Sequence, residues 1–270
     1  MFLTGDNVSE MFKNMNNELE SLVTWLSSNK LSLNVKKSHY ILFTHKKVLI
    51  DSDVVINGSI LEKTYHTKFL GVYIDDKLNW KHHIRYVKGK IARGIGIICK
   101  ARKVLQKQSL LTLYYSFIYP YFVYGLEVWG NACKTYLSCL VKLQKKIMRI
   151  ISFTSRYHSS EQLFKQTNVL SLGKIYQFKL LLFMHRFVNG NVPAIFDIMF
   201  TRNDQIHTHF TRSHSKLHLP RSRTQLMVKS FRNTAIKLYN SCVSKFKFSL
   251  RLSLFKPAVR QYLLQHDILI

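Results

Sequence analysis

Hydrophobic periodicity changes once along this chain, near Trp80, and that change limits what the chain can fold into. Upstream, Val8, Phe12, Met15, Leu19, Leu22 and Leu26 recur at alternating spacings of four and three, so they share one face of a helix that Asp6 or Asn7 can cap. Short runs follow at Leu31–Val35, Tyr40–Phe43, Val48–Ile50, Val54–Ile56 and Phe69–Ile74. Each is β-branched, aromatic or aliphatic and bounded by turn residues, which predicts strands. Asn57-Gly58 is a hairpin signal, because both central positions of that turn take positive φ. After Trp80 the spacing predicts helices over residues 81–106, 109–128, 135–153, 160–168, 172–189, 226–241 and 253–265. The second should bend at Pro120, which has no N–H to donate. The expected fold is an α+β unit of helix plus antiparallel strands over residues 1–80, a mainly α-helical part over 81–200, and a basic carboxy-terminal extension over 201–270.

Charge narrows the partners. Against 41 Lys and Arg stand only 14 Asp and Glu, a formal charge of +27, and such an excess repels itself unless a polyanion neutralises it. Nucleic acid is the leading partner and an anionic lipid surface the other. With 47% hydrophobic residues the chain can bury a core, which a disordered basic tail cannot. Cys99, Cys133, Cys139 and Cys242 are too widely spaced for a disulfide framework, which points to a reducing compartment, cytoplasmic or nuclear. The opening residues lack the basic start and apolar run of a signal peptide, so no secretion is expected. Residues 110–126 come closest to a membrane span, but Tyr114, Tyr115, Tyr119, Tyr121, Tyr124 and Pro120 crowd them, and a buried helix is expected instead. Oligomeric state is left open by the sequence.

The stretch FLGVYIDDKLNW at 69–80, followed by Lys81-His82-His83-Ile84, resembles the primer-grip hairpin and thumb entrance of reverse transcriptases of non-LTR retrotransposons, in the jockey-like and chicken-repeat-like class. Upstream, WLSSNKLSLNVKKSHYILF at 25–43 is similar to the helix, turn and lysine segment that follows the catalytic hairpin in that family, with Lys37 at the lysine position. Downstream, TRSHSKLHLPRSRT at 211–224, Lys237-Leu238-Tyr239-Asn240 and the helix at Phe255-Lys256 resemble the family's closing region.

The resemblance implies the carboxy-terminal part of an RNA-directed DNA polymerase, with a palm remnant over 1–80 and a thumb over 81–200. Phe69, Leu70, Gly71 and Val72 would then press against the primer's terminal backbone. The family's catalytic centre, an aromatic-x-Asp-Asp hairpin and a third Asp holding two magnesium ions, would lie before Met1, and FLTGDN looks like the residues just after that hairpin. The intact enzyme would use dNTPs and magnesium on an RNA template. This chain alone is expected to need no cofactor and to be inactive, while binding an RNA–DNA hybrid or element RNA. A domesticated, non-catalytic RNA- or DNA-binding protein is the alternative.

Tyr73-Ile74-Asp75-Asp76 also fits the aromatic-x-Asp-Asp pattern, and two-metal phosphoryl transfer needs carboxylates that bridge cations about 3.5–4 Å apart. Asp75 and Asp76 are nonetheless set aside as catalytic. The lysine segment precedes them rather than following, and a turn former or helix cap is the expected use of a carboxylate at a strand-to-helix junction. Gly71 admits a second reading, as a glycine inside a strand that permits close packing.

Lys142, Lys145, Lys146 and Arg149 should share one helical face while Leu140, Leu143, Ile147 and Ile150 line another, so a basic stripe can meet phosphates as an apolar one packs. Lys81, Arg85, Lys88, Lys90 and Arg93 form a second basic face, and Arg221 and Arg223 are further candidates for nucleic-acid contact. A plainly solvated charged surface is the other reading of each. His207, His209, His214 and His218 lack the short spacings of a zinc site and are interleaved with Arg212, Lys216, Arg221 and Arg223, so no metal is expected. The aromatic set Tyr114, Tyr115, Phe117, Tyr119, Phe122 and Trp129 suits core packing, with stacking on single strands as the alternative.

Overall fold

The computed structural model describes residues 1–44, 52–155, 157–206, 214 and 216–268, and the expected strand Val48–Ile50 lies outside them. Contacts divide the chain into two units, Met1–His83 and Ile84–Ile270.

In the first unit α1 (Val8–Ser28) begins at Asn7, whose side chain accepts from the Ser9 amide at 3.0 Å. Phe12 and Leu19 are buried from the expected stripe and meet Val54, Ile56 and Leu61, with Val8, Met15, Leu22 and Tyr40 at the margin. Asn16 ties the helix to this layer: its Oδ1 accepts from the Val55 amide at 3.0 Å and its Nδ2 donates to the Asp53 carbonyl at 3.1 Å.

The strands are short. β1 (His39–Tyr40) pairs in parallel with β4 (Glu62–Lys63), and β2 (Val55–Ile56) pairs antiparallel with β3 (Ser59–Ile60) across Asn57-Gly58. Both turn residues have positive φ, 50° and 71°, as that dipeptide requires. Residues 31–35 are not a strand: Val35–Lys37 form a 3-10 turn, because Leu33 and Val35 pack on the α1 core and leave no neighbouring strand to pair. The expected strand at 69–74 is two: β5 (His66–Phe69) and β6 (Val72–Asp75) pair antiparallel with Phe69 opposite Val72. Leu70 and Gly71 make the reversal at φ 44° and 84°, so Gly71 is a turn corner, not a packing gap inside a strand.

The second unit is helical. α2 (Lys81–Ala101) starts at the boundary between the units, and α3 (Lys107–Phe117), α4 (Tyr119–Val123) and α5 (Leu126–Trp129) take the place of one bent helix. Pro120 removes an amide at the first break, and Gly125 at φ 59° turns the chain at the second. Tyr114, Ile118, Phe122, Leu126 and Trp129 remain fully buried across both breaks, so the apolar spacing persists although the backbone does not.

α6 (Lys134–Ile151), α7 (Ser160–Gln166) and α8 (Leu172–Val188) follow, then α9 (Gln225–Val228), α10 (Phe231–Cys242) and α11 (Leu252–Gln265). α8 is largely apolar, with Ile175, Leu180, Leu181 and Met184 fully buried, and α4, α5, α6, α10 and α11 all pack on it, while its Lys174 and Lys179 ammoniums pair with Asp267 and Glu127. Among the described residues no helix is long and apolar enough to cross a membrane. The molecule is therefore mainly helical, and among the described residues its small antiparallel and parallel sheets all precede Trp80.

Candidate nucleic-acid interface

The β5–β6 hairpin presents its apolar tip outward. Phe69 is 52% exposed and Leu70 76% exposed, and Leu70 holds a left-handed backbone that a branched side chain rarely adopts. Val72, one residue beyond the turn, is buried. Three of the four expected grip residues thus lie at the tip and the fourth anchors its base.

That base is held by Asp75, which is buried. Its Oδ1 accepts from the Asn79 amide at 3.0 Å and its Oδ2 from the Trp80 amide at 2.8 Å. The intervening turn carries Leu78 and Trp80 at φ 51° and 65°, both left-handed without glycine. The Asn79 side chain then accepts from the Lys81 amide at 2.9 Å and starts α2. Asp76 instead lies 3.7 Å from the Lys77 ammonium, which donates to the Thr44 carbonyl.

Two histidine features were not legible in the sequence. His83 is buried against the hairpin, its Nδ1 accepts from the Tyr73 amide at 3.3 Å, and burial pushes its imidazole down to about 4. His66 and His82 stack with ring centroids 4.1 Å apart.

Most of the basic residues singled out in the sequence are exposed. Lys37 is exposed at the end of its 3-10 turn. On α2, Lys81, Arg85, Lys88 and Arg93 are exposed, while Lys90 is half-buried with its ammonium 5.4 Å from the Tyr86 ring centroid. On α6, Lys142, Lys145 and Lys146 are exposed, and Arg149 is partly covered because its Nε donates to the His158 carbonyl at 3.3 Å. The buried face of α6 is Leu140, Gln144, Ile147, Met148 and Ile151; Leu143 and Ile150, expected to line it, are only half-buried. The stripe shifts because Gln144 is drawn inward by polar partners. Its Nε2 donates to the Leu170 carbonyl at 3.0 Å and the Tyr114 hydroxyl at 3.2 Å, and its Oε1 accepts from the Leu172 amide at 2.8 Å, at the first turn of α8. Burial raises the Tyr114 phenol well above its ordinary value, so it stays protonated.

Arg221 and Arg223 are exposed on the irregular segment before α9. His207 and His209 lie outside the described residues, and among the described residues no group of three or more His, Cys, Asp or Glu could hold a metal ion. The four cysteines are free.

Over about half its length the chain is similar to RNA-directed DNA polymerases of mobile elements. It is 27% identical over 158 residues to the enzyme of mobile element jockey from Drosophila funebris, covering 57% of this chain and 17% of that protein. It is 26% identical over 132 residues to the probable enzyme of transposon X-element from Drosophila melanogaster, covering 47% of this chain and 14% of that protein. The probable enzyme of transposon BS from Drosophila melanogaster is 25% identical over 168 residues, 60% of this chain and 18% of its own. The resemblance to non-LTR reverse transcriptases is thus borne out, and the chain spans less than a fifth of the length of these relatives. No protein-family model and no solved structure matches it.

Proposed function

We propose, from this kinship with non-LTR reverse transcriptases, that the chain is the carboxy-terminal, duplex-gripping part of such an enzyme, a palm remnant followed by a helical thumb, and that it supplies grip rather than chemistry. The observation that carries the reading is the similarity to three separate mobile-element polymerases. Two features of the chain support the division of labour.

The first is the exposed lysine face of α6, unbroken by acid. The first carboxylate after Glu127 is Glu161, so nothing on that face neutralises Lys142, Lys145 and Lys146. A polyanion running past it would release counterions from each phosphate neutralised, which makes binding fall steeply with salt. Readout of backbone and groove shape suits an RNA–DNA hybrid, because it needs no side chain aimed at a base edge. Lys81, Arg85 and Lys88 on α2, and Arg221 and Arg223 before α9, would add to the same electrostatic term.

The second is the use made of the Asp75-Asp76 pair. A two-metal centre needs carboxylate oxygens free to bridge cations. Both oxygens of Asp75 accept backbone amides, and Asp76 sits beside a lysine. These residues do not fit the family's magnesium ions. The hairpin above them fits a passive role, its tip of Phe69, Leu70 and Gly71 offering small and apolar contact to a primer backbone while Val72 and Asp75 hold it in place.

The test is hybrid-duplex binding by fluorescence anisotropy across a salt series, with primer extension measured on the same purified chain in magnesium. The expected result is binding without extension. Lys142→Glu, Lys145→Glu and Lys146→Glu together should flatten the salt slope by about one unit per lost contact. These three are preferable to any set containing Arg149, whose guanidinium also donates to the His158 carbonyl. An unchanged slope removes α6 from the interface. Extension that Asp76→Ala abolishes overturns the non-catalytic assignment, since the 3.7 Å pair with Lys77 is partly open to solvent and contributes little to the fold.

A further inference from the structure

Within the helical unit, α3 and α11 and the turn after α7 enclose an open cleft of about 550 Å³, lined by Lys107, Gln108, Thr112, Tyr115, Asn168 and Arg260 among others. That volume falls in the range of small-ligand sites, roughly 300–1,000 Å³. None of the lining residues is acidic.

Arg260 is the unusual member. It is half-buried, yet among the described residues it makes no ion pair. Its Nη2 donates to the Asn168 carbonyl at 2.7 Å and reaches the Tyr115 hydroxyl at 3.4 Å. A guanidinium carries five donors, so Nε and Nη1 keep theirs for another acceptor. Lys107, which likewise makes no ion pair among the described residues, adds a second cation at the first turn of α3, an eleven-residue helix with no side-chain cap on its amides. Both charges and the helix dipole therefore favour an anion at one place. Beside them, Tyr115 is 36% exposed while edge contacts to Tyr114 and Tyr119, each with centroids 5.2 Å apart, fix its ring. The remaining groups, a hydroxyl and amides, can donate or accept, so they discriminate little among bases.

We propose that this cleft seats a nucleotide of a single nucleic-acid strand, with Arg260 and Lys107 on its phosphate and Tyr115 stacked on its base. A duplex cannot fill it, because paired and stacked bases are not available to a side-chain ring. The site is distinct from the duplex-gripping faces and rests on the nucleic-acid reading above. A free mononucleotide offers the same phosphate and base, so the test must separate it from a strand.

Anisotropy of a labelled oligothymidylate on the full chain, beside the labelled hybrid duplex, reads the cleft directly. Tyr115→Leu should weaken the single strand roughly fivefold or more through lost stacking. Lys107→Gln, at an exposed position that leaves folding intact, should weaken it about threefold and lower its salt slope by about one. Duplex affinity should change less than twofold in both. Arg260→Lys keeps a charge but not the fork, and should fall between wild type and Lys107→Gln. Single-strand binding that survives both Tyr115→Leu and Lys107→Gln overturns the cleft and leaves the duplex reading standing. Competition by thymidine monophosphate as effective, per molecule, as unlabelled oligothymidylate overturns the strand as occupant. If neither strand nor duplex binds, the nucleic-acid reading fails and takes the cleft with it.

Discussion

Asp75 stabilises a conformation that its neighbours would not choose. Leu78 and Trp80 both sit in the left-handed region, where a side chain costs on the order of 1–2 kcal/mol per residue, and the two amide bonds to the carboxylate span that turn. Asp75→Ala should lower stability by about 2–4 kcal/mol, because two inward amides lose a charged acceptor. Asp75→Asn, which keeps one carbonyl oxygen, should cost less. Urea denaturation followed by tryptophan fluorescence measures both, and a wild-type midpoint for the alanine variant would remove the anchor. His83 gives the same region a dependence on pH. Its imidazole is held down to about 4 from an ordinary 6.5, so the unfolded chain binds the proton more readily than the folded one. Stability from this group should be complete above about pH 6.5 and drain away as pH falls toward 4. His83→Gln should remove most of that slope, and an equally steep acid loss in the variant would assign it elsewhere. A chain position between strand and helix suggests a turn-forming carboxylate, but which amides it meets, and that His83 backs the hairpin, follow only from how the chain closes.

At the scale of elements, α8 depends on one polar side chain of α6. Gln144 satisfies the Leu172 amide, the Leu170 carbonyl and the Tyr114 hydroxyl in a site with no solvent access. Gln144→Leu keeps the volume but orphans all three, and should destabilise the helical unit by roughly 3–5 kcal/mol. Thermal or urea unfolding measures it, and a loss under ~1 kcal/mol would mean the three groups find other partners. Sequence periodicity located α1, α2, α6, α7 and α8 within a few residues, since each keeps helical apolar spacing and has few internal breakers. It joined α3, α4 and α5 into one helix because Tyr114, Ile118, Phe122, Leu126 and Trp129 preserve helical spacing through two backbone breaks. It merged β5 and β6 because Leu70 is a poor turn residue, and a leucine with φ of 44° carries no local signal. Gln144 was passed over for a related reason: an apolar-stripe count treats a buried glutamine as surface.

For the whole molecule, the excess of 27 positive charges was legible at once. The lysine faces of α2 and α6 were legible too, because helical spacing alone puts their members side by side. The cleft at Arg260 was not. Its lining residues come from positions 107–115, 166–168 and 260, and only packing of α11 on α7 and α8 gathers them. The order in which that packing can occur matters during synthesis. α8 buries most of its apolar side chains, yet two of the helices that cover it, α10 and α11, are encoded after it. At ribosomal rates of about 5–20 residues per second, on the order of ten seconds separates the emergence of Val188 from that of Gln265. Throughout that interval the nascent chain lacks part of the cover of α8, and a message cut short before α11 would leave the face that α11 covers open to water.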